Sequence, residues 1–394
     1  MPGLKKHSID PSVAEDLGEH VRLRSAINRR EALLRLATFA ATPAVFKNSL
    51  LANVGGRLPS VSYHNIEECE PLDDGGWRLS RVPRTLRAHL NSNAQRRSYA
   101  PAGAELRFGL VSQEARIVLR KVEDRGEAAR HLPALVEIYQ GDLLVDWRPL
   151  ADDWMEILVR RPPNREARAS GSGGAPRFPP ELVRVALPCL PAVQLLKIEG
   201  DVRPARNDEV PARRFLAYGS SITNGAHTVR PGDAYPARIA RRLGMDAFNL
   251  GFGGGAHLEP EMAEWIAQRT DWEFATLELG INLVGRLTPE EFQKRLAAFL
   301  PKIAAARPDQ WIFCIDLFTA NGDFTQNPRY PAFRAAVRDA VAKIGSPRVV
   351  HFDGRELLSR ASGLTLDLVH PSSDGFEEMA DQLVRRLQPY LAKG

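Results

Sequence analysis

The stretch Phe215–Gly225, FLAYGSSITNG, decides how the chain is to be read. A short uncharged run of strand-forming residues ends at Gly219, and Ser220 and Ser221, a residue type favoured at helix starts, follow at once. A core strand running through a glycine into a helix start is the first half of a βα unit. The unit recurs downstream. DAFNLG, FATLELG, WIFCIDLF and RVVHF are further core-type strands, and amphipathic helices are expected over 232–243, 258–269, 288–306, 330–344 and 374–392. Five such alternations specify an α/β fold over residues 214–394, with a five-stranded parallel sheet covered on both faces. In these sheets ligands bind outside the carboxyl ends of the strands, so the chemistry is sought there.

Upstream the pattern is different. Between residues 59 and 200 lie the short runs GWRLSRV, AELRFGLV, ARIVLRKV, ALVEIYQ, DLLVDW, WMEILVR, LVRVALP and VQLLKIEG, separated by turn residues and lacking a helical stripe. They predict an all-β sandwich or jelly roll. Trp77, Trp147 and Trp154 within them are expected to pack in its core, with stacking on sugar rings as their alternative use. REARASGSGGAPRFPPE (165–181) reads as an exposed loop, and the proline- and charge-rich residues 201–213 read as a linker. Residues 1–58 form an N-terminal extension in which Arg29 and Arg30 precede a modestly apolar stretch, resembling a twin-arginine export signal. If that segment acts, the protein is periplasmic or secreted; otherwise it is cytoplasmic, and the segment is an amphipathic helix.

Composition excludes several classes. With 394 residues and 44% hydrophobic content the chain carries real cores, and no apolar run approaches a membrane span. The net charge is +5, but residues 1–60 hold nine Lys or Arg against five Asp or Glu. The remainder is nearly neutral and offers nucleic acid no basic face. Cys69, Cys189 and Cys314 are too few and scattered for a disulfide scaffold or a zinc site, although Cys69 and Cys189 would be free to pair in an oxidising compartment. Cys314, in an apolar run, is read as core.

Each predicted strand end brings a residue with chemical use. Ser221 follows the first strand in the position of a nucleophile, where N-capping by Ser220 or Ser221 is the ordinary alternative. The G-x-S-x-G elbow of α/β-hydrolases is absent. The second strand ends in NLGFGGGAHLEPE, whose Gly251, Gly253, Gly254 and Gly255 permit close backbone approach and converging N–H groups. A dinucleotide fingerprint is not matched there. The third ends in LELGINLVG, and the Asn282 amide offers donors to a developing oxyanion. LDLVHPSSDGF then sets Asp367 three residues before His370, a spacing that lets the carboxylate orient an imidazole. His257, beside the glycine loop, either lines the pocket or starts a helix. His64, His89, His131, His227 and His351 show no metal-ligand spacing.

Taken together in this order, these elements resemble the SGNH or GDSL-type hydrolases over about residues 213–392, and with the preceding β domain they resemble a bacterial subgroup carrying an N-terminal jelly roll. The resemblance implies that the parallel sheet is flavodoxin-like and doubly wound, with Ser221 as nucleophile, His370 as general base and Asp367 as its orienting partner. It implies the backbone N–H groups of Ser221 and Gly254 and the Asn282 amide as the oxyanion hole, with Ser220 and His257 as pocket residues. Ser220 stands where most members have Asp, and Leu283 where many have Asp. The expected activity is a serine esterase acting on short acyl esters, such as acetyl groups on carbohydrates. It needs no metal and no organic cofactor, and no oligomeric partner is specified. The alternatives are an acyltransferase using the same residues and a noncatalytic glycan-binding protein.

Overall fold

The computed structural model describes residues 60–122, 134–150, 153–161 and 176–392. The N-terminal extension and the glycine-rich part of the 165–181 loop lie outside the described residues.

The first eleven strands are β1 (Ser62–His64), β2 (Glu68–Pro71), β3 (Trp77–Ser80), β4 (Glu105–Leu110), β5 (Glu114–Lys121), β6 (Leu135–Gln140), β7 (Leu143–Pro149), β8 (Trp154–Arg160), β9 (Leu182–Ala186), β10 (Val193–Glu199) and β11 (Val202–Pro204). They form two antiparallel sheets, ordered β1-β4-β9-β6-β7, with β11 also on β4, and β2-β3-β10-β5-β8. The period-2 alternation explains the shared core. Ala115, Ile117 and Leu119 of β5 point inward with Leu106, Phe108, Val136, Val183 and Leu195 from the other strands.

Three expectations for this half are corrected. Trp154 is 52% exposed, because in β8 it is in phase with Glu156 and Arg160 on the outer face while Ile157 and Val159 turn inward. Trp147 is 54% exposed, because β7 is an edge strand open on both faces. The stretch expected as a linker begins with a paired strand, β11, and Phe178 in the supposed exposed loop is buried beneath the guanidinium of Arg184.

The remaining strands are β12 (Arg214–Gly219), β13 (Asp246–Gly251), β14 (Phe274–Glu278), β15 (Trp311–Ile315) and β16 (Val349–Phe352). All pair in parallel in the order β13-β12-β14-β15-β16, which is 2-1-3-4-5 along the chain and the flavodoxin-like order. The long helices are α1 (Tyr235–Leu243), α2 (Pro260–Gln268), α3 (Pro289–Ala306), α4 (Arg329–Ile344) and α5 (Ser373–Leu391). Along β12, Phe215 and Ala217 face the cluster made with α1 and α5, while Leu216 and Tyr218 face the cluster made with α2, α3 and α4. Burial on both faces is why this strand carries no alternation of polarity. None of the described helices is long and apolar enough to cross a membrane.

Cys69, Cys189 and Cys314 are buried and form no disulfide among the described residues. Cys69 lies in the sandwich core and Cys189 beside Ala102 and Ala234, so the Cys69–Cys189 pair is not formed.

The two halves meet through buried polar contacts. Arg107 of β4 makes a two-pronged ion pair with Asp246 at the start of β13, at 2.7 and 2.8 Å, and His64 Nε2 lies 3.0 Å from the Ala247 carbonyl. Burial above all, and then Arg107, push the His64 imidazole down to about 4, against the pull of Asp246 and Glu105. A histidine with a depressed folded-state value is stabilising only while neutral: its contribution is whole above the unfolded value and fades as pH falls toward the folded one. We therefore expect stability measured by chemical denaturation to fall by about 3 kcal/mol between pH ~6.5 and ~4. His64→Gln, uncharged throughout, should flatten that fall; an undiminished fall in the variant would remove His64 from the account.

Candidate active site

At the carboxyl end of β12 the chain has no room for a side chain. A Cβ on Gly219 would overlap Thr223 Oγ1 and the carboxyl of Glu278. Ser220 then donates its N–H to Glu278 Oε2 at 2.6 Å, and its hydroxyl accepts from Ile222 N at 3.1 Å, capping the short helix Ser221–Asn224. Ser220 is thus buried at 1% exposure and fully engaged under the turn, so the structure does not place it in a substrate pocket. Ser221, the next residue, carries its hydroxyl outward. Glu278, at the end of β14, is buried too; burial raises its carboxyl above the usual range, opposed by hydrogen bonds from Ser220 and Thr223.

The loop between Leu364 and Pro371 brings an imidazole to Ser221. Its ends are joined by a bridge between these two residues, Thr365 N donates to the His370 carbonyl at 2.8 Å, and Asn321 N donates to the Leu368 carbonyl at 2.6 Å. Within it one carboxylate oxygen, Asp367 Oδ1, accepts from the N–H groups of Val369 and His370 and from Thr365 Oγ1, each at 2.9 Å. The other, Oδ2, is 2.6 Å from His370 Nδ1, and His370 Nε2 is 2.8 Å from Ser221 Oγ. Burial would raise the Asp367 carboxyl, but the hydrogen bonds from the His370 ring and from the His370 and Val369 N–H groups prevail and hold it well below the usual range. The carboxylate stays charged, and its hydrogen bond assigns the Nδ1 proton. Nε2 is then the free acceptor facing the serine.

The glycine loop after β13 lies against the same serine: a Cβ on Gly253 would stand 3.4 Å from Ser221 Cβ. Gly254 has φ +66, a left-handed conformation that suits glycine. Asn282, after Gly280 at the end of β14, accepts from Ala256 N through Oδ1 at 3.1 Å, which fixes the amide and leaves Nδ2 as its donor end. The loop is held from behind by the β-rich half. Arg81 donates to the carbonyls of Ala100 (2.6 Å), Arg97 (2.9 Å), Asn249 (2.6 Å) and Gly251 (2.7 Å). Asn91 and Asn93 reach the Gly255 and Gly254 carbonyls at 2.8 and 3.1 Å. His257 is half-buried next to the loop. Burial first of all lowers its imidazole below the usual range, Glu259 opposes that, and Arg286 and Arg295 add to it.

Arg81, Glu278 and His227 were not singled out from sequence as site residues. Glu278 had a signal, an acidic residue inside an otherwise apolar strand; Arg81 had none. His227 stacks on His370, with ring centroids 4.5 Å apart and planes 26° from parallel, and its Nε2 lies 3.7 Å from Asp367 Oδ2. Among the described residues, His227, Asp367 and His370 are the group whose ligand atoms stand close enough to hold a metal ion. Their geometry suits one poorly. A metal lies in the plane of each imidazole that binds it, about 2.0 Å from the nitrogen, and two rings lying face to face cannot both aim a lone pair at one ion.

Residues 212–388 match the model of the GDSL-like lipase/acylhydrolase family. The sheet of this part of the chain is that of an SGNH-type ester hydrolase. No curated protein matches by sequence. Among solved structures, the salicylyl-acyltransferase SsfX3 from a tetracycline biosynthetic pathway is similar in fold, with TM-score 0.70 and 20% identity over 86% of this chain and 97% of that one. A GDSL-like lipase from Bacteroides ovatus superposes at 0.63 with 20% identity, covering 84% and 98%. A family two carbohydrate esterase from Cellvibrio japonicus superposes at 0.56 with 13% identity, covering 85% and 96%.

The tightest steric demand of the site is at Gly251, where an added Cβ would overlap the backbone of Asn224 at the end of the nucleophile turn. Gly251→Ala is expected to destabilise the protein by about 1–3 kcal/mol, the range for overpacking, and to lower activity even where folded protein is recovered. A thermal melt beside an ester assay checks this, and wild-type values in both would mean that the turn has slack.

Proposed function

We propose that the protein is a serine esterase that cleaves short acyl esters through an acyl-enzyme. The observation that carries this reading is the unbroken chain from Ser221 Oγ to His370 Nε2 (2.8 Å) and from His370 Nδ1 to Asp367 Oδ2 (2.6 Å). In this reading Ser221 Oγ attacks the ester carbonyl as its proton passes to His370 Nε2, and Asp367 stabilises the imidazolium. The carbonyl oxygen, now negative, is received by the N–H groups of Ser221 and Gly254 and by Asn282 Nδ2. Collapse expels the alcohol, which takes the proton from His370. Water then gives its proton to the same nitrogen, attacks the acyl carbon and releases the acid. Acetyl on a carbohydrate is the favoured substrate class, supported by the carbohydrate esterases among the structures of similar fold. A second reading replaces the water by an alcohol acceptor. It is supported by the likeness to an acyltransferase over both halves of the chain.

The test is turnover of p-nitrophenyl acetate and of acetylated oligosaccharides, with and without an added alcohol whose acyl product is quantified. Ser221→Ala is expected to abolish turnover without changing the fold, and a fluorophosphonate probe should label Ser221 alone; label on another serine would refute the assignment. Asn282→Ala should lower kcat by roughly 100- to 1000-fold with a much smaller change in KM, because its bond strengthens as charge develops. An unchanged kcat would take Asn282 out of the mechanism.

Activity should rise with pH as the base loses its proton and then level off, because only a neutral imidazole can accept from the serine. Asp367→Asn should leave the labelling site unchanged and slow the reaction. EDTA should alter neither limb nor plateau; activity lost on chelation and restored by a divalent ion would overturn this reading.

A further inference from the structure

The mechanism uses one imidazole at the site, and the structure holds two. His370 is tied by two bonds, at Nδ1 and Nε2, both in the plane of its ring. Neither partner touches the ring's face, so a small roll of the ring about its Cβ–Cγ bond bends both hydrogen bonds without meeting a steric stop from them. The loop that carries it is open, with the Asp367 side chain 40% exposed, so water competes for both partners. His227 lies on the ring's face and opposes that roll.

His227 is held firmly enough to do so. The helix bearing Ser221 ends at Gly225, whose φ is +86 and whose Cβ position is crowded by Ala234 and the Cys189 sulfur. Ala226 N donates back to the Ser221 carbonyl at 2.9 Å, and Thr228 closes on the Gly225 carbonyl through its N–H at 3.1 Å and its hydroxyl at 2.7 Å. Between them His227 has φ +71, a left-handed conformation costing a side chain on the order of 1 kcal/mol. With that backbone, in the turn that follows the helix Ser221–Asn224, its ring lies over His370.

We propose that His227 is a positioning residue for the general base, a flat support that keeps the His370 ring in the plane shared by Ser221 Oγ and Asp367. This rests on the esterase reading and adds a step at which the support counts most. Before acylation, His370 has both in-plane partners. In the acyl-enzyme the serine oxygen is esterified and no longer donates to Nε2. The ring then has one fixed bond, to Asp367, and the stack, until water arrives to be deprotonated. His227 therefore serves deacylation more than acylation.

The experiment compares wild type, His227→Ala, His227→Gln and His227→Phe in stopped-flow hydrolysis of p-nitrophenyl acetate. Each is normalised to serine titrated by fluorophosphonate and checked by thermal melting. His227→Ala and His227→Gln, which lack an aromatic face, are expected to lose roughly 10- to 100-fold in kcat. KM should fall in parallel and kcat/KM should change little, since slow deacylation lets acyl-enzyme accumulate and a burst of p-nitrophenol appear. His227→Phe should recover most of kcat. A merely structural role would lower the titratable serine and leave KM and the burst unchanged.

Wild-type kcat in both His227→Ala and His227→Gln would overturn the proposal, as would a His227→Phe variant as impaired as His227→Gln. Should His227→Ala fail to fold, the Gln and Phe pair decides alone. These failures differ from failure of the esterase reading, in which wild-type Ser221 itself goes unlabelled and His227 loses its role with it.

Discussion

A guanidinium sealed from water costs several kcal/mol unless its N–H groups find acceptors, and Arg81 meets this condition without a carboxylate. Its acceptors are four main-chain oxygens, two from the segment Arg97–Ala100 and two from the end of β13. Burial lowers it to about 9, so it remains a cation near neutral pH. Because backbone carbonyls carry no net charge, Arg81 orients the chain at Asn249 and Gly251 without cancelling its own field. The glycine loop that leaves Gly251 therefore starts from a fixed direction set by a residue of the β-rich half. That half is part of the site's frame. Asn91 and Asn93, on a neighbouring turn, repeat the device by holding the carbonyls of Gly255 and Gly254. Within the loop the N–H groups of Gly251, Phe252, Gly255 and Ala256 are also engaged, by Asn249 Oδ1, the Gly219 and Phe252 carbonyls and Asn282 Oδ1.

The same division of labour explains the local chain geometry. The crevice of a 2-1-3-4-5 sheet opens beside the first strand, where the chain order reverses, and the residues of interest come from the ends of β12, β13 and β14 and from the loop before α5. Gly219 and Gly251 are backbone close approaches, one against Thr223 and Glu278 and the other against Asn224. Together they press the nucleophile turn and the glycine loop into one layer. His370 comes from elsewhere in the chain, on an open loop, and its alignment rests on side-chain contacts. Rigidity is thus graded: the glycine loop is held by buried backbone contacts, while His370 is held by Asp367 and Ser221 and stacked on His227.

Much of this was legible because it follows from period and punctuation. The five parallel strands were readable as mainly apolar runs ending in glycine or a polar turn, and the helices fell within a few residues of their expected bounds. Ser221, Asp367, His370, the glycine loop and Asn282 could be singled out because each follows a strand end or precedes the last helix, and the fold brings these segments together. What could not be read depends on partners far apart in sequence. Trp154 looked like core by composition and is exposed by register, since only pairing with β5 decides which face of β8 turns inward. Arg81 is one of many arginines, and its partners lie up to 170 residues away. His227 has no spacing signal because its meaning comes from a ring 143 positions further on.

The departure at Ser220 also has a physical reading. The resemblance sets an Asp at this position, and an Asp there would serve as well as Ser in capping a helix, since both present an oxygen to the N–H two residues on. Here that N–H belongs to Ile222 and the oxygen is a hydroxyl. Glu278 already places a buried carboxyl 2.6 Å from Ser220 N. A second carboxyl at 220 would put two acids in one dry space, where they cannot both ionise without large cost. One acid under the turn and a neutral cap above it keep the hydrogen bonds while avoiding that repulsion. Changing either residue alone would disturb the turn that carries Ser221, so Ser220 and Glu278 are best understood as one unit supplied by two strands.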